Sequence, residues 1–159
     1  MLIRRADPAD RVIVHDLVNA AFGQQAEARL IDDLNAAGDL VLALVAEDAG
    51  LVVGHVALSR LKSPDRAVAL APLSVVPQAQ GRGIGSALIR EALAQARDMG
   101  EFIVFVLGDP AYYQRFGFTR AAATDFPCVY AGPFFMACLL ADRPVAGTEV
   151  IYADAFANL

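Results

Sequence analysis

Three glycines stand at alternate positions in Gln80-Gly81-Arg82-Gly83-Ile84-Gly85-Ser86. Before them, Leu73-Ser74-Val75-Val76 has the apolar, β-branched character of a strand. After them, Ile84, Leu88, Ile89, Ala92, Leu93 and Ala96 recur at helical spacing. Strand, tight turn and helix start in that order suit an anion. Bare backbone N–H groups can turn inward, and the helix dipole adds its positive end. A side chain at Gly83 or Gly85 would block close approach to the backbone. Arg82 and Ser86 can add polar contacts. Spacing excludes two nucleotide sites. A Walker A loop ends in Gly-Lys-Ser/Thr, and no lysine lies here. A dinucleotide turn needs Gly-x-Gly-x-x-Gly, but the third residue after Gly83 is Ser86.

The bulk properties bound the partners. The chain has 159 residues, enough for one domain spanning 1–159. Thirteen Lys and Arg against 18 Asp and Glu give a net charge of −5, which argues against general nucleic-acid binding. The longest apolar runs, Val41 to Ala46 and Pro133 to Leu140, are far short of the ~20 residues that span a bilayer. No apolar stretch follows Arg4-Arg5, so a cytoplasmic protein is expected, without membrane partners. Cys128 and Cys138 fit no zinc spacing, and His15 and His55 lie far apart. No metal is expected; both cysteines read as small core residues.

The elements that must position the turn follow from pattern. Leu2 to Arg5 reads as a strand. Asp7 caps a first helix with Pro8 at its first position and Ile13, Leu17, Val18 and Ala21 inward. A second helix from about Gln25 buries Ala26, Leu30, Ile31 and Leu34 and stops at Gly38. Leu40 to Glu47, Leu51 to Leu61 and Ala67 to Val76 form an antiparallel meander. The long helix after the glycines ends near Met99. Phe102 to Leu107 is a buried strand, a short helix covers Pro110 to Phe116, and strands at Phe134 to Leu140 and Glu149 to Ala153 close the chain. The expected class is α/β (α+β): a mixed, mostly antiparallel sheet of about six or seven strands flanked by about four helices.

Gln80-Gly81-Arg82-Gly83-Ile84-Gly85 resembles the Gln/Arg-x-x-Gly-x-Gly/Ala signature of the GNAT acetyltransferases. Tyr113-Gln114-Arg115-Phe116-Gly117-Phe118 is similar to that superfamily's Tyr-x-x-x-Gly-Phe motif, at the expected place after the fifth strand. Val106 to Tyr113 resembles a bacterial subgroup of N-acetyltransferases, and the likeness covers nearly the whole chain. It implies a sheet splayed between its fourth and fifth strands, with acetyl-CoA wedged in the gap and no metal. It implies transfer of the acetyl group to a primary amine of a small molecule, by direct attack in a ternary complex. A protein N-terminus or lysine as acceptor, and a non-catalytic acyl-CoA sensor, are the alternatives. A monomer or a homodimer is compatible.

On that reading the cofactor contacts are Leu73, Val75, Gln80, Gly81, Arg82, Gly83, Ile84, Gly85 and Ser86. Pro72 cannot donate to a ladder and suits the place where pairing lapses. Past it, the backbone of Leu73 and Val75 can bond the pantetheine arm, and the N–H of Leu73 or Ser74 can polarise the acetyl carbonyl. The resemblance assigns Tyr113 as general acid to the leaving thiolate. A phenol pKa of about 10 above a thiol's of about 8.5 makes it competent. Tyr112 would face about 100° away on the same helix. The base is open. Glu47, Asp48, His55 and Asp109 lie on strands or strand ends, whereas Ser74 and Val75 hold the place where many relatives carry a carboxylate. Phe126, Pro127, Cys128 and Tyr130, in the loop 119–132, can shape an acceptor pocket, pack beneath the loop, or meet a partner.

Overall fold

The computed structural model describes residues 1–159. Six strands form one sheet in chain order: β1 (Leu2–Arg5), β2 (Leu40–Asp48), β3 (Leu51–Arg60), β4 (Ala67–Val75), β5 (Ile103–Leu107) and β6 (Phe135–Leu139). All neighbours are antiparallel except β4 and β5, which run parallel. A parallel pair needs a crossover. It is the long helix α3 (Ile84–Asp98), between α1 (Arg11–Phe22) and α2 (Ala26–Ala36) upstream and the short α4 (Pro110–Tyr113) and α5 (Arg120–Ala123) downstream.

The apolar stripe expected on α3 is fully inward: Ile84, Leu88, Ile89, Ala92, Leu93 and Ala96 are all buried. They pack on one sheet face, against Leu42, Leu44, Val56, Leu58, Val68 and Val104. On the opposite face, α1 and α2 meet near Val45. Farther along that face, Phe105 stacks on Phe135 and meets Phe126 edge-on.

Three expectations change. The first helix opens with a 3-10 turn over Pro8–Asp10, capped by Asp7, and the α-helix starts at Arg11. Its inward residues are Val14, Leu17 and Val18, while Ile13 is 42% exposed. Glu149 to Ala153 is not a seventh strand. Ile151 makes a single bridge to Ser63, which sits in a turn, and the Val150 N–H bonds the Pro127 carbonyl instead. Without an extended neighbour no ladder can propagate, and the chain ends in a 3-10 turn over Asp154–Asn158. The loop after Gly117 holds the extra helix α5, capped by Thr119.

The sheet splays where the glycine turn requires it. β4 pairs with β5 only from Ala67 to Ala69, opposite Ile103 to Phe105. Beyond that point β5 pairs with β6 alone. On the other side of β4, Val56 faces Leu73 and Leu58 faces Leu70, so Ala71 and Pro72 together oppose Ala57. This bulge inverts the alternation of the strand. Before it, Val68 and Leu70 face α3; after it, Leu73 and Val75 do.

Candidate active site

Two cavities flank the free end of β4. The first, of about 430 Å³, is lined by Leu73, Val75, Gln80, Gly81, Gly83, Ile84, Gly85, Ser86, Tyr112 and Arg115, with Ala79 beneath. The second, of about 460 Å³, takes Ala71, Pro72 and Leu73 from β4, Leu107 from the end of β5 and Tyr113 from α4. Phe22, Glu27, Leu30, Tyr130, Tyr152, Phe156 and Leu159 complete its wall. Leu73 belongs to both.

In the first cavity the backbone is the chemistry. The N–H groups from Gly81 through Ser86 make no hydrogen bond within the chain; the first satisfied one is that of Ala87, on the Gly83 carbonyl. They converge on the N-terminus of a 15-residue helix, where the dipole favours negative charge. Gly81 and Gly83 adopt φ of +77° and +80°, a region that side chains with a Cβ avoid. A Cβ there would meet nothing within 4 Å of the chain, so within the chain itself backbone conformation selects glycine at both positions. Crowding does operate at Gly85, where a Cβ would sit 3.1 Å from the Tyr112 hydroxyl. The charge available is that of Arg115, whose guanidinium lies 4.9 Å from the Tyr112 ring centre and whose Nε donates to the Tyr112 carbonyl. Arg82, the expected polar partner, is instead paired with Asp48 at 2.9 Å. Arg115 is not among the contacts expected from sequence; its one signal there is a cation within the Tyr-x-x-x-Gly-Phe motif.

The edge of β4 faces the gap with its own unpaired groups. The Val76 N–H donates to the Val53 carbonyl, and His55 faces Ser74 two residues on. The alternation of an antiparallel ladder therefore turns the Ser74 backbone toward β3 and that of Leu73 and Val75 toward the gap. Of the two carbonyl-polarising donors considered, Leu73 is the one on the open side. The Val75 carbonyl already accepts from the Gln80 side-chain amide at 3.1 Å. Gln80 thereby ties the strand end to the turn.

Tyr113 and Tyr112 divide the two cavities between them, their rings edge-to-face at 5.1 Å. Tyr113 also packs edge-on against Phe118 and lies flush on Gly108, where a Cβ would fall 2.3 Å from its ring. Burial, and then the neighbouring Tyr112, pushes the Tyr113 hydroxyl up to about 12, so it keeps its proton at neutral pH.

None of the four carboxylate and histidine candidates lines either cavity. Glu47 is bound by Arg4 at 2.7 Å. Asp48 holds Arg82, and Asp109 caps α4 by accepting the Ala111 N–H. His55 is buried on the opposite face, lining a pocket with Asp10. Burial lowers its pKa to about 4 against the opposing pull of Asp10. The acidic group that does reach the gap is Glu27, on α2. The loop 119–132 serves two ends: Phe126 packs beneath it on Phe105, and Tyr130 faces the second cavity.

A splayed sheet, an anion-ready turn at β4 and a tyrosine at the gap define an acetyltransferase fold, and residues 39–120 match the acetyltransferase (GNAT) domain. The chain belongs to that family. It is 40% identical to the uncharacterized N-acetyltransferase YhbS of Escherichia coli K12 over 136 residues, 83% of this chain and 81% of that protein. The crystal structure of YhbS in complex with CoA superposes with a TM-score of 0.90 at 38% identity, covering 98% of this chain and 91% of that one. A GNAT family acetyltransferase from Brucella melitensis in complex with acetyl-CoA superposes with a TM-score of 0.83 at 36% identity, covering 98% and 97%. No helix of the present chain is long and apolar enough to cross a membrane.

Proposed function

We propose that this chain transfers the acetyl group of acetyl-CoA to the primary amine of a small molecule, by direct attack across the gap between β4 and β5. The observation that carries the proposal is the shared wall. Leu73 borders both cavities, so a thioester carbonyl beside its N–H would stand at the junction of an anion-binding pocket and an apolar one. The residues fit acetyl-CoA. The unpaired N–H row from Gly81 to Ser86, with Arg115, suits the pyrophosphate, and the free edge at Leu73 and Val75 suits the amide-bearing arm. The thioester supplies the activated acyl group.

The chain's own residues then do three things. The Leu73 N–H stabilises negative charge growing on the carbonyl oxygen, as a donor already fixed in place by the strand. As the neutral amine forms its C–N bond and the C–S bond breaks, Tyr113, still protonated, gives its proton to the departing sulfur, and the proton that the nitrogen loses passes to solvent, from which Tyr113 is reprotonated. Phe22, Tyr130, Tyr152 and Phe156 enclose the acceptor side, which suits a small amine better than the surface of a folded protein.

Substitution of Tyr113 by Phe tests the reading. It removes one hydroxyl and should lower kcat by about 10²- to 10⁴-fold, the usual worth of a positioned acid. The Kd for acetyl-CoA should stay within about twofold, because the ring keeps its seat on Gly108. Unchanged turnover of every amine accepted by the parent would remove Tyr113 from the mechanism.

A further inference from the structure

The chain buries three carboxylates: Asp10, Glu27 and Glu101. Two have guanidinium partners. Arg4 forks onto Asp10 at 2.7 and 2.9 Å, and Arg60 forks onto Glu101 at 2.5 and 2.8 Å. Glu27 has no cation. Its two oxygens accept only from the neutral amide of Gln24, at 2.8 and 3.0 Å. It takes part in no salt bridge. Its place in the first turn of α2 offsets part of the cost of burial through the helix dipole, but leaves the charge without a counter-ion. Yet α2 spends a position of its inward stripe on it, where Leu30, Ile31 and Leu34 are the other members.

Glu27 is also the one of the three that opens onto the apolar cavity at the splay, and it is the only charged side chain in that wall. The rest is ring and aliphatic surface. Tyr130 and Tyr152 meet edge-to-face at 4.9 Å, as do Tyr152 and Phe156, with Phe22 and Leu30 completing it. Burial holds the Tyr152 hydroxyl well above the usual phenol range, so it adds no charge. Gln24 clamps the carboxylate through one amide nitrogen and leaves each oxygen lone pairs for another donor.

From this, and resting on the acetyl transfer proposed above, we infer that Glu27 is the missing half of an ion pair completed by the acceptor. The acceptor class is a primary amine on an apolar, preferably aromatic, body: it enters as the ammonium paired with Glu27, its body fills the ring-lined cavity, and it releases one proton to solvent before the neutral nitrogen attacks. Glu27 is thus a specificity-determining residue, acting on binding rather than on the chemical step. Polyamines and amino acids fit poorly, since their further charges would be buried against rings with no partner.

The experiment is direct binding of 2-phenylethylamine to the whole chain by calorimetry, beside 2-phenylethanol and spermidine, repeated with Glu27→Gln. The amine should bind. The alcohol, which keeps the ring and lacks the charge, and spermidine, which keeps the charge and lacks the ring, should bind at least tenfold more weakly. Glu27→Gln should weaken the amine on the order of a hundredfold, the cost of breaking a buried pair, and leave the alcohol unchanged. In turnover the same variant should raise KM for the amine and hold kcat within about threefold. Glu27→Asp should restore part of the affinity. The melting temperature of Glu27→Gln should stay close to the parent's, because the lost interaction with the α2 dipole is offset by removal of a buried charge. Equal affinity for the amine in parent and variant, or spermidine binding as well as 2-phenylethylamine, would overturn the inference. Because amine binding is read without acetyl-CoA, a failure of acetyl transfer itself would appear separately, as no loss of thioester with any amine.

Discussion

The two cavities that meet at Leu73 are built in opposite ways. The one at the glycine turn comes from an almost unbroken stretch, Leu73 to Ser86, with Tyr112 added from α4 and Arg115 from the 3-10 turn after it. The other is gathered from α1, α2, β4, the end of β5, the 119–132 loop and the C-terminal segment. The difference follows from what each would hold on the proposed function. An anion is best met by consecutive backbone N–H groups, which only a local turn can aim together. An apolar body asks for shape, and side chains from anywhere in the fold can supply it. On the proposed function, the local site fixes the reaction and the dispersed one sets the acceptor.

Substitutions that act on one cavity and spare the other sharpen the comparison. The largest effect is expected from Gly108→Ala, whose Cβ would enter the Tyr113 ring. A displaced ring should lower kcat on the order of a hundredfold with acetyl-CoA affinity nearly intact, as a misplaced catalytic group does. Stopped-flow turnover beside equilibrium binding checks this; equal losses in both would mean that the two cavities are not separable at Tyr113. Gly83→Ala comes next. It forces a Cβ into φ of +80°, at ~1–2 kcal/mol, and should weaken acetyl-CoA about tenfold while leaving amine binding alone.

The smallest effect lies outside both cavities, at His55 on β3. The folded chain refuses a proton until about pH 4, whereas the unfolded chain takes one near 6.5. Stability from this group is therefore whole above pH 6.5 and is lost as pH falls toward 4. Between pH 7 and 5.5 the loss should be ~1 kcal/mol. Urea unfolding at the two pH values, repeated with His55→Gln, should show the difference shrink in the variant. An undiminished slope would assign it to other groups.

The same contrast governs how much could be read from sequence. The glycine turn, the apolar face of α3 and the tyrosine of α4 are local patterns, and the structure brings them together at the splay. The bulge at Ala71 and Pro72 was legible only as a proline that could not join a ladder, with no hint that it inverts the facing of Leu73 and Val75. The supposed seventh strand misled because Val150, Ile151 and Tyr152 have strand composition, while a ladder depends on a neighbour elsewhere in the chain. Glu27 carried a faint local signal: a charge three, four and seven residues before Leu30, Ile31 and Leu34, on the face that must turn inward. Its lack of a cationic partner is a property of the assembled fold.

The central claim is that the turn from Gly81 to Ser86 holds the diphosphate of acetyl-CoA, and the melting temperature tests it most directly. Acetyl-CoA at about 100 times its Kd adds ~2.7 kcal/mol. For a chain of this length that is a rise of roughly 5–10 °C. The account predicts that rise, with much less from an S-acetyl-pantetheine fragment that lacks the diphosphate. No shift at millimolar acetyl-CoA, or an equal shift with the fragment, would contradict it.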